Sequence, residues 1–352
     1  MALVGLIDWF EFTLLDATKP HDWEDDGWTA INWDGESDGW RDGVQWCKEI
    51  LGLPIDGWQV LPRGKMGYKR QIVQGNVWIL WAGAEGMGVH VVCSGQGVRQ
   101  IEQYKSVPDI IDKLNELGFE YRITRIDLAI DDYDGKLLDY GKIVRHARNG
   151  LYVSQWRTCK IIDVRDTGGN NVIGGSVYFG SGKSRCMCRI YRKGLEQQDT
   201  TRPDWTRLEV ELKEERAANL VKVANLREGI GQVVSMILAQ YLTFKKRGKS
   251  QQKTRWETAG WWARLMGEVE PLRLTTAPEP RTLQQVEDWL MRQVSANMAM
   301  LAMAQEDEAA FERLCQRLAT VGRGKMRQKH YNMIGQSINQ PKRQQKKPRR
   351  AD

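Results

Sequence analysis

The stretch "CRIYRKGLEQQDTTRPDWTRLEVELK", residues 188–213, decides the fold, because two strand-like runs flank a short turn-rich segment. Successive side chains of a strand point to opposite faces of a sheet, so residues two apart share a face. The first run therefore places Arg189, Tyr191 and Lys193 on one face. The stretch predicts part of a sheet that collects a tyrosine between basic residues.

Two runs alternate in the same way: "TRIDLAID", residues 124–131, and "TRLEVEL", residues 206–212. In each run, apolar residues occupy one face and charged residues the other. The charged positions are Arg125, Asp127, Asp131, Arg207, Glu209 and Glu211. If these strands are neighbours, one face of the sheet is apolar and meets helices, while the other carries carboxylates, cations and a tyrosine.

Such a polar face has the parts for phosphoryl transfer by a tyrosine next to a metal ion. Asp and Glu oxygens are ligands for Mg²⁺ or Mn²⁺, and clustered carboxylates repel one another unless a cation lies among them. A phenol with a pKa near ~10 is activated when a nearby Lys, Arg or metal lowers that pKa. Arg189, Arg192 and Lys193 are the residues expected to clamp flanking phosphates.

A purely structural interpretation competes with this one. Alternating Arg and Glu on strands is typical of a cross-strand ion-pair ladder on a solvated face. A tyrosine between Arg and Lys is equally typical of an amphipathic strand. The spacing makes a site possible without proving it, so both interpretations stay open at this point.

The distribution of charge is more informative than the net charge of +7. Residues 21–46 are acidic and hold five tryptophans, whereas residues 244–255, "FKKRGKSQQKTR", and residues 322–352 are basic. The last segment is either a phosphate-binding arm or a solubilising terminus. The residues of the first basic segment that we expect to contact DNA are Lys245, Lys246 and Arg247.

Other classes of protein lack support in the sequence. No apolar run approaches the ~18 residues of a membrane span. The N-terminal "MALVGLIDWFEFTLLD" has neither the basic start nor the cleavage site of a signal peptide, and reads as a first strand. The four histidines are far apart, without a His-hydrophobic-His pair, and "GMGVHVVCSGQG" lacks the Gly-Lys-Ser/Thr ending of a P-loop.

The overall pattern predicts an α+β fold, an antiparallel sheet with helices on one face, followed by an all-helical C-terminal region. Strand-like runs dominate residues 1–213, the expected α+β domain, with the acidic Trp-rich segment 21–46 as an insertion. Helical spacing dominates residues 214–320. Residues 321–352 form a basic tail that we expect to be disordered.

In order and spacing, "TRIDLAIDD", "GSVYFGSGKSRCMCRIYRKGLEQ" and "WTRLEVELKEERA" resemble the Rep_trans family. Its members are rolling-circle replication initiators of plasmids and filamentous phages, with related nickases of integrative elements. The N-terminal "IDWFEFT" and "SGQGVRQIE" are also similar to that family, and the resemblance covers roughly residues 1–245. The most specific parts are the Arg-Ile-Tyr-x-Lys-x-x-Glu block and the Trp-x-Arg-x-Glu-x-Glu block.

The resemblance implies an α+β DNA-nicking domain that cuts and rejoins origin DNA. A tyrosine attacks one strand, forms a 5′-phosphotyrosyl link and leaves a 3′-OH that primes replication. By the family's motif the nucleophile falls on Tyr191, with Lys193 and Arg189 beside it. The metal, Mg²⁺ or Mn²⁺, is held by carboxylates, which fall on Asp127, Glu209 and Glu211, with Asp131 as a fourth candidate. The arginines expected to contact DNA are Arg125, Arg192 and Arg207.

The resemblance also implies partners and a location. We expect single-stranded or hairpin origin DNA, a host helicase and a second copy of the chain as partners, in the cytoplasm of a bacterial host and without membrane contact. Three rival functions stay open. They are a mobilisation or conjugative relaxase with the same chemistry, a non-catalytic origin-binding or repressor protein, and a metal-dependent nuclease that uses water.

Overall fold

One antiparallel sheet of ten strands dominates the part of the chain that the computed structural model describes. The described residues are 3–15, 40–54, 57–227, 229–267, 274, 283–305, 307–326, 330 and 334. The strands are β1 (Val4–Leu14), β2 (Gln59–Leu61), β3 (Arg70–Gln74), β4 (Val77–Trp81), β5 (Val89–Cys93), β6 (Tyr121–Asp132), β7 (Tyr152–Ser154), β8 (Cys159–Arg165), β9 (Val172–Phe179), β10 (Cys186–Arg192), β11 (Thr206–Lys213) and β12 (Leu242–Phe244).

The strand order of the large sheet is β2-β3-β4-β5-β1-β6-β11-β10-β9-β8, and β12 pairs with β7 in a separate small sheet. All the pairings in the large sheet are antiparallel. This order places β6, β11 and β10 side by side, which is the condition for the shared polar face. The prediction of an antiparallel α+β fold is confirmed.

The helices are α1 (Arg41–Leu51), α2 (Gly95–Ile101), α3 (Val107–Glu116), α4 (Tyr140–Arg148), α5 (Lys193–Glu196), α6 (Glu215–Val223), α7 (Ile230–Tyr241), α8 (Gly260–Met266), α9 (Leu283–Gln293), α10 (Ser295–Met303) and α11 (Glu308–Arg323). Local sequence accounts for the start of α3, which begins with a capping box between Ser106 and Asp109. Within the described residues, helices long and apolar enough to cross a membrane are absent.

The apolar face of the sheet packs against helices. Ile126, Leu128 and Ile130 of β6 are buried, and α6 and α7 pack on that strand. Burial of one such side chain stabilises the fold by about 1.5–3 kcal/mol. The start of α7 comes so close to β1 that a Cβ at Gly5 would lie 2.4 Å from the backbone nitrogen of Gly231. With this face covered, the charged residues are left on the opposite face.

The chain divides into two compact units, Met1–Thr276 and Ala277–Asp352. The predicted division between residues 213 and 214 falls inside the first unit, because α6 and α7 bury their apolar sides against the sheet. The second unit contains α9, α10 and α11, the helices expected after the sheet. Residues 21–39 of the predicted insertion and most of the basic tail lie outside the described residues.

Candidate active site

The register of three neighbouring strands brings the predicted site residues onto one face of the large sheet. Tyr191 of β10 pairs with Arg207 of β11, and Arg207 pairs with Asp131 of β6. The other facing pairs on this side are Arg189 with Glu209 and Glu211 with Asp127. We call this surface the polar face, and its residues are Arg125, Asp127, Asp131, Arg189, Tyr191, Arg207, Glu209 and Glu211.

Tyr191 forms a hydrogen-bonded group with Glu209 and Arg189. The tyrosine is only 3% exposed, and its hydroxyl donates to Oε2 of Glu209 at 3.2 Å. Nη2 of Arg189 donates to the same oxygen at 2.8 Å. The guanidinium carbon of Arg189 also lies 4.2 Å from the centre of the tyrosine ring. The carboxylate of Glu209 thus accepts hydrogen bonds from both the phenol of Tyr191 and the guanidinium of Arg189.

Burial, and then the charge of Glu209, raise the pKa of Tyr191 above its ordinary value, while Arg189 and Arg207 oppose that rise without reversing it. The neighbouring arginines lower this pKa as expected, but burial and Glu209 outweigh them, so the pKa of Tyr191 is raised overall. The physical reason is that burial penalises the phenolate and that both arginines are already paired with carboxylates. In this arrangement Tyr191 is a hydrogen-bond donor to Glu209.

Arg125 joins two carboxylates at the other end of the polar face. Its Nη2 lies 2.5 Å from Oδ2 of Asp127 and 2.8 Å from Oε2 of Glu211. Burial raises the pKa of Asp127 to about 7, although Arg125 acts to lower it. Nζ of Lys213 lies 2.6 Å from the second oxygen of Glu211. The charge of Arg125, which we expected to meet DNA, neutralises carboxylates inside the face.

Arg207 is held from two sides. Its Nε and Nη2 each donate to the carboxylate of Asp131 at 2.7 Å, and its Nη1 donates to Oδ1 of Asp8 at 2.6 Å. Arg207 is 6% exposed and Asp131 is 0% exposed. Sequence alternation missed Asp8, because the register between β1 and β6 shifts at a bulge beside it. Arg207 of β11 is therefore tied to Asp131 of β6 and to Asp8 of β1.

The carboxylates of the polar face have the oxygen chemistry that Mg²⁺ or Mn²⁺ requires, and in this structure each of them is paired with an arginine. Asp131 is paired with Arg207, Glu209 with Arg189, and both Asp127 and Glu211 with Arg125. Among the described residues, groups of three or more His, Cys, Asp or Glu side chains that could hold a metal are absent. The predicted ligand roles of these four carboxylates stay predictions.

Lys193 and Arg192 separate to opposite sides of the sheet. Lys193 begins α5, its Nζ lies 5.4 Å from the centre of the Tyr191 ring, and it pairs with Glu196 at 2.5 Å. Arg192, one residue earlier, lies over the ring of Tyr140 with its guanidinium carbon 5.3 Å from the ring centre. The structure therefore brings Lys193 near Tyr191 and leaves Arg192 on the helix side.

The basic residues Lys245, Lys246 and Arg247 follow β12, outside the large sheet. Lys245 is tied in by its backbone N–H, which donates to the oxygen of Leu151, while the other two side chains are exposed. The nearest ion pair is a loose one, with Nζ of Lys246 3.7 Å from Glu257. This segment is not part of the polar face, and its contact with DNA stays a prediction.

The polar face continues beyond the predicted residues onto β1 and β5. Glu11 accepts a hydrogen bond from the indole of Trp9 at 2.6 Å and lies 3.6 Å from Nε2 of His90. Burial acts to raise the pKa of Glu11, but the hydrogen bonds from His90 and Trp9 outweigh it and hold the pKa below its usual value. The alternation in "IDWFEFT" could have revealed Glu11, whereas its histidine partner is distant in sequence.

Two family models match this chain. The model described as "Replication initiation factor" (Rep_trans) matches residues 121–317, and the model described as "Rolling Circle replication initiation protein N-terminal domain" matches residues 41–110. The first match contains β6, β10 and β11, which carry the polar face. Together the two matches cover the strands of the large sheet except β1, which precedes both of them.

A solved structure and a curated protein are similar to this chain. The rolling circle replication initiator protein from Geobacillus stearothermophilus matches with a TM-score of 0.63 and 27% identity, over 78% of this chain and 99% of that chain. A Bacillus subtilis (strain 168) protein that bears the name DNA relaxase NicK is 27% identical over 230 residues, or 62% of this chain. The chain matches 64% of that relative's length, which is less than two thirds.

The fold and the matched domains define a protein of the rolling-circle replication class, which includes initiators and relaxases. More particularly, the chain belongs to the replication initiation factor family, Rep_trans, whose model spans more than half of its residues.

Proposed function

We propose that this protein nicks and rejoins one strand of origin DNA, with Tyr191 as the nucleophile and Glu209 as the acceptor of its proton. The observation that carries the proposal is the hydrogen bond of 3.2 Å from the Tyr191 hydroxyl to Glu209. A nucleophile within hydrogen-bond reach of a base, which is itself oriented by a third group, is the arrangement that covalent catalysis requires. Arg189 is that third group.

The reaction balances with these side chains. The oxygen of Tyr191 attacks the phosphorus of a phosphodiester, and its proton passes to Glu209. The bond from phosphorus to the 3′ oxygen breaks, and that oxygen takes a proton from water and leaves as a 3′-OH. The 5′ phosphate stays linked to the tyrosine, and attack by a 3′-OH reverses the step and rejoins the strand.

Arg189 supports this assignment through a donor that is still available. Its Nη2 bonds Glu209, but its Nε is buried and lacks a hydrogen-bond partner within the described part of the chain. A buried guanidinium N–H without a partner is costly, and a phosphate oxygen would satisfy it with a charge-assisted hydrogen bond. We assign Arg189 to the attacked phosphate, with the ammonium of Lys193 adding positive charge beside it.

The metal is a separate part of the proposal. When bound, Mg²⁺ or Mn²⁺ would polarise the phosphate, and the candidate ligands remain Asp127, Glu209, Glu211 and Asp131. Because arginines hold these carboxylates, the steps above use side chains alone. Dependence of nicking on added metal is to be measured rather than assumed.

Covalent capture tests the proposal. Single-stranded oligonucleotides tiled across the replicon that encodes this protein, labelled 3′ of each candidate nick, are incubated with and without Mg²⁺, Mn²⁺ or chelator. We expect label on the protein in a denaturing gel, and its loss in Tyr191→Phe. Tyr178→Phe is the matched control, because Tyr178 pairs with Arg189 on the neighbouring strand β9.

The other outcomes of covalent capture either indicate a rival function or remove the metal from the mechanism. Cleavage without an adduct would indicate a nuclease that uses water. Specific binding to one duplex without cleavage would indicate an origin-binding or repressor protein. Metal-independent adduct formation would remove Mg²⁺ and Mn²⁺ from the mechanism.

The second candidate function is that of a relaxase of a mobile element, and the similarity to the NicK protein favours it. The chemistry is the same, so the substrate decides: a relaxase nicks a transfer origin and an initiator nicks an origin that supports replication. Cloning each nicked sequence into a plasmid and measuring replication and transfer separately distinguishes them. A host helicase, a homodimer and a location in the bacterial cytoplasm are further proposals, and co-purification and light scattering test the first two.

A further inference from the structure

Trp205 opens the Trp-x-Arg-x-Glu-x-Glu block, and the reaction above gives it no role. Its ring centre lies 5.0 Å from that of Tyr133, and the guanidinium carbon of Arg202 lies 4.7 Å from the Trp205 ring and 4.9 Å from the Tyr133 ring. We call Tyr133, Arg202 and Trp205 the stacking cluster. Both aromatic residues are half-buried, and the side chain of Arg202 is 45% exposed.

The stacking cluster lies next to the nucleophile on the same side of the sheet. Trp205 is two residues before Arg207 and Tyr133 is two residues after Asp131, so strand alternation carries both onto the side of the polar face. Arg207 pairs directly with Tyr191. Its guanidinium carbon also lies 5.7 Å from the Trp205 ring. The cluster therefore begins one same-face step, about 7 Å, beyond the residue opposite the nucleophile.

The loop that carries the cluster is tied to the strand of the nucleophile. The N–H of Gly194 donates to the oxygen of Trp205 at 3.0 Å, and the N–H of Asp199 donates to the oxygen of Gly194 at 2.8 Å. A Cβ at Gly194 would lie 2.1 Å from the oxygen of Arg202, so this approach requires glycine. Because Tyr191 is three residues before Gly194, these contacts hold Arg202 and Trp205 at a fixed position relative to Tyr191.

Two details indicate what the cluster binds. Asp199 pairs with the guanidinium of Arg202 at 2.6 Å and compensates its charge. We therefore expect this arginine to bind through its flat face, by stacking, and not through its charge to a phosphate. The indole N–H of Trp205 is buried without a hydrogen-bond partner among the described residues. Aromatic rings and arginine planes are the surfaces on which proteins stack the bases of single strands.

We propose that the stacking cluster holds a nucleobase of single-stranded DNA beside the phosphate that Tyr191 attacks. The base stacks on the exposed guanidinium of Arg202, which lies over the two aromatic rings, and fixes the register of the strand over the nucleophile. This inference rests on the proposed function, since it places the same substrate. The chemistry selects an unpaired base, because a base inside a duplex has no exposed face to stack.

The test uses an intact single-stranded origin oligonucleotide that the protein binds and replaces its bases one at a time with 2-aminopurine, whose fluorescence is quenched by stacking. The protein carries Tyr191→Phe, so that binding is observed without cleavage. We expect quenching at one or two positions next to the nick, its loss in Trp205→Leu and its reduction in the exposed variant Arg202→Ala. Affinity should fall about 5- to 150-fold, the range for the removal of one base stack.

Trp78→Leu is the matched control. Trp78 also has a cation over its ring, Nζ of Lys65 at 3.7 Å, but it lies on β4, four strands from β11. Thermal melts exclude unfolded variants, and Arg202→Ala keeps the test valid if Trp205→Leu does not fold. Unchanged quenching in both cluster variants, or an equal loss of affinity in Trp78→Leu, would overturn the inference.

The outcome is separable from that of covalent capture. If the unaltered protein forms the adduct but quenching is unchanged in Trp205→Leu and Arg202→Ala, the proposed base stacking is wrong and the proposed nicking activity is supported. If quenching depends on Trp205 but covalent capture gives no adduct, the base stacking is supported and the proposed nicking activity is contradicted.

Discussion

Tyr191 and Glu209 meet diagonally across two neighbouring strands, where the phenol of the first donates to the carboxylate of the second at 3.2 Å. Neither residue is opposite the other in the ladder, because Tyr191 pairs with Arg207 and Glu209 pairs with Arg189. The diagonal contact gives the buried tyrosine a base, while the direct pairs supply the two arginines. This relationship distinguishes Tyr191 and Glu209 from the ion pairs around them, and it is the geometry that the proposed nucleophile and base require.

Glu209→Gln should slow adduct formation by about 10²- to 10⁴-fold, the range for the loss of a general base. Binding of the uncleaved oligonucleotide should be nearly unchanged. Because the pKa of Tyr191 is raised, the remaining rate should climb with pH, as the phenol must then ionise unaided. Single-turnover adduct formation from neutral to alkaline pH, with Glu215→Gln as control, measures this. A pH profile parallel to that of the unaltered protein would argue against Glu209 as the base.

Arg207→Met should lower the free energy of unfolding by about 3–5 kcal/mol, because it leaves buried carboxylates without their cation. Asp131, which accepts two hydrogen bonds from Arg207, is fully buried. Urea unfolding of the single variant and of Arg207→Met with Asp131→Asn and Asp8→Asn measures the effect. The triple variant should recover part of the loss, and a triple variant as unstable as the single one would contradict this explanation.

Glu11 should make the protein less stable in acid. Burial raises the pKa of Glu11, but the hydrogen bonds from His90 and Trp9 outweigh it, so the folded pKa lies below the unfolded one. The stability that this group contributes is present above its unfolded pKa and is lost as pH falls through its folded pKa. Unfolding free energies of Glu11→Gln and of the unaltered protein, measured from roughly pH 7 down to roughly pH 3, test this expectation.

The two curves of that experiment should converge as the pH falls, since the glutamine has no proton to take up. Curves that stay parallel over the acid range would show that Glu11 has the same pKa in the folded and unfolded chains. Nε2 of His90 lies 3.6 Å from Oε2 of Glu11, so this histidine belongs to the same network. His90→Gln, measured alongside, separates its contribution.

The basic segment after β12 should add salt-dependent DNA affinity. Replacing Lys245, Lys246 and Arg247 with glutamine should reduce the slope of log K against log salt by about 0.7–0.9 for each phosphate that is no longer neutralised. Removing an equal charge from exposed positions of α11 is the control, with Arg313, Arg317 and Arg323 replaced by glutamine. An equal change of slope in the two variants would show that the effect comes from net charge in general and not from DNA contact by this segment.

Much of the fold and part of the site could be predicted from the sequence. The alternation of "TRIDLAID" and "TRLEVEL" identified the polar face, because a strand's two-residue period is a local property that needs no partner. Tyr191 and its neighbours Arg189 and Lys193 followed from the motif and lie together as expected. The extent of the first unit did not follow, since helical spacing after residue 213 does not show which surface those helices cover.

Electrostatics was the least predictable part. The composition of the polar face suggested free cations and a metal bound by carboxylates, whereas Arg125, Arg189 and Arg207 are each paired with those carboxylates. Pairing depends on side-chain atoms a few ångströms apart on three different strands. Asp8 entered the site through a bulge in β1, and a bulge leaves no mark in the alternation.

The sequence by itself determined the residues that can share a face, the identity of the nucleophile candidate and the division into sheet and later helices, because these depend on local periodicity and motif order. Only the tertiary structure decided that β6, β11 and β10 are neighbours, that the phenol of Tyr191 donates to Glu209, and that Trp205 lies beside Arg207, the residue opposite Tyr191. Those facts depend on strand order, register and burial, which join residues far apart in sequence, as in the pair of Asp8 and Arg207, which are 199 positions apart.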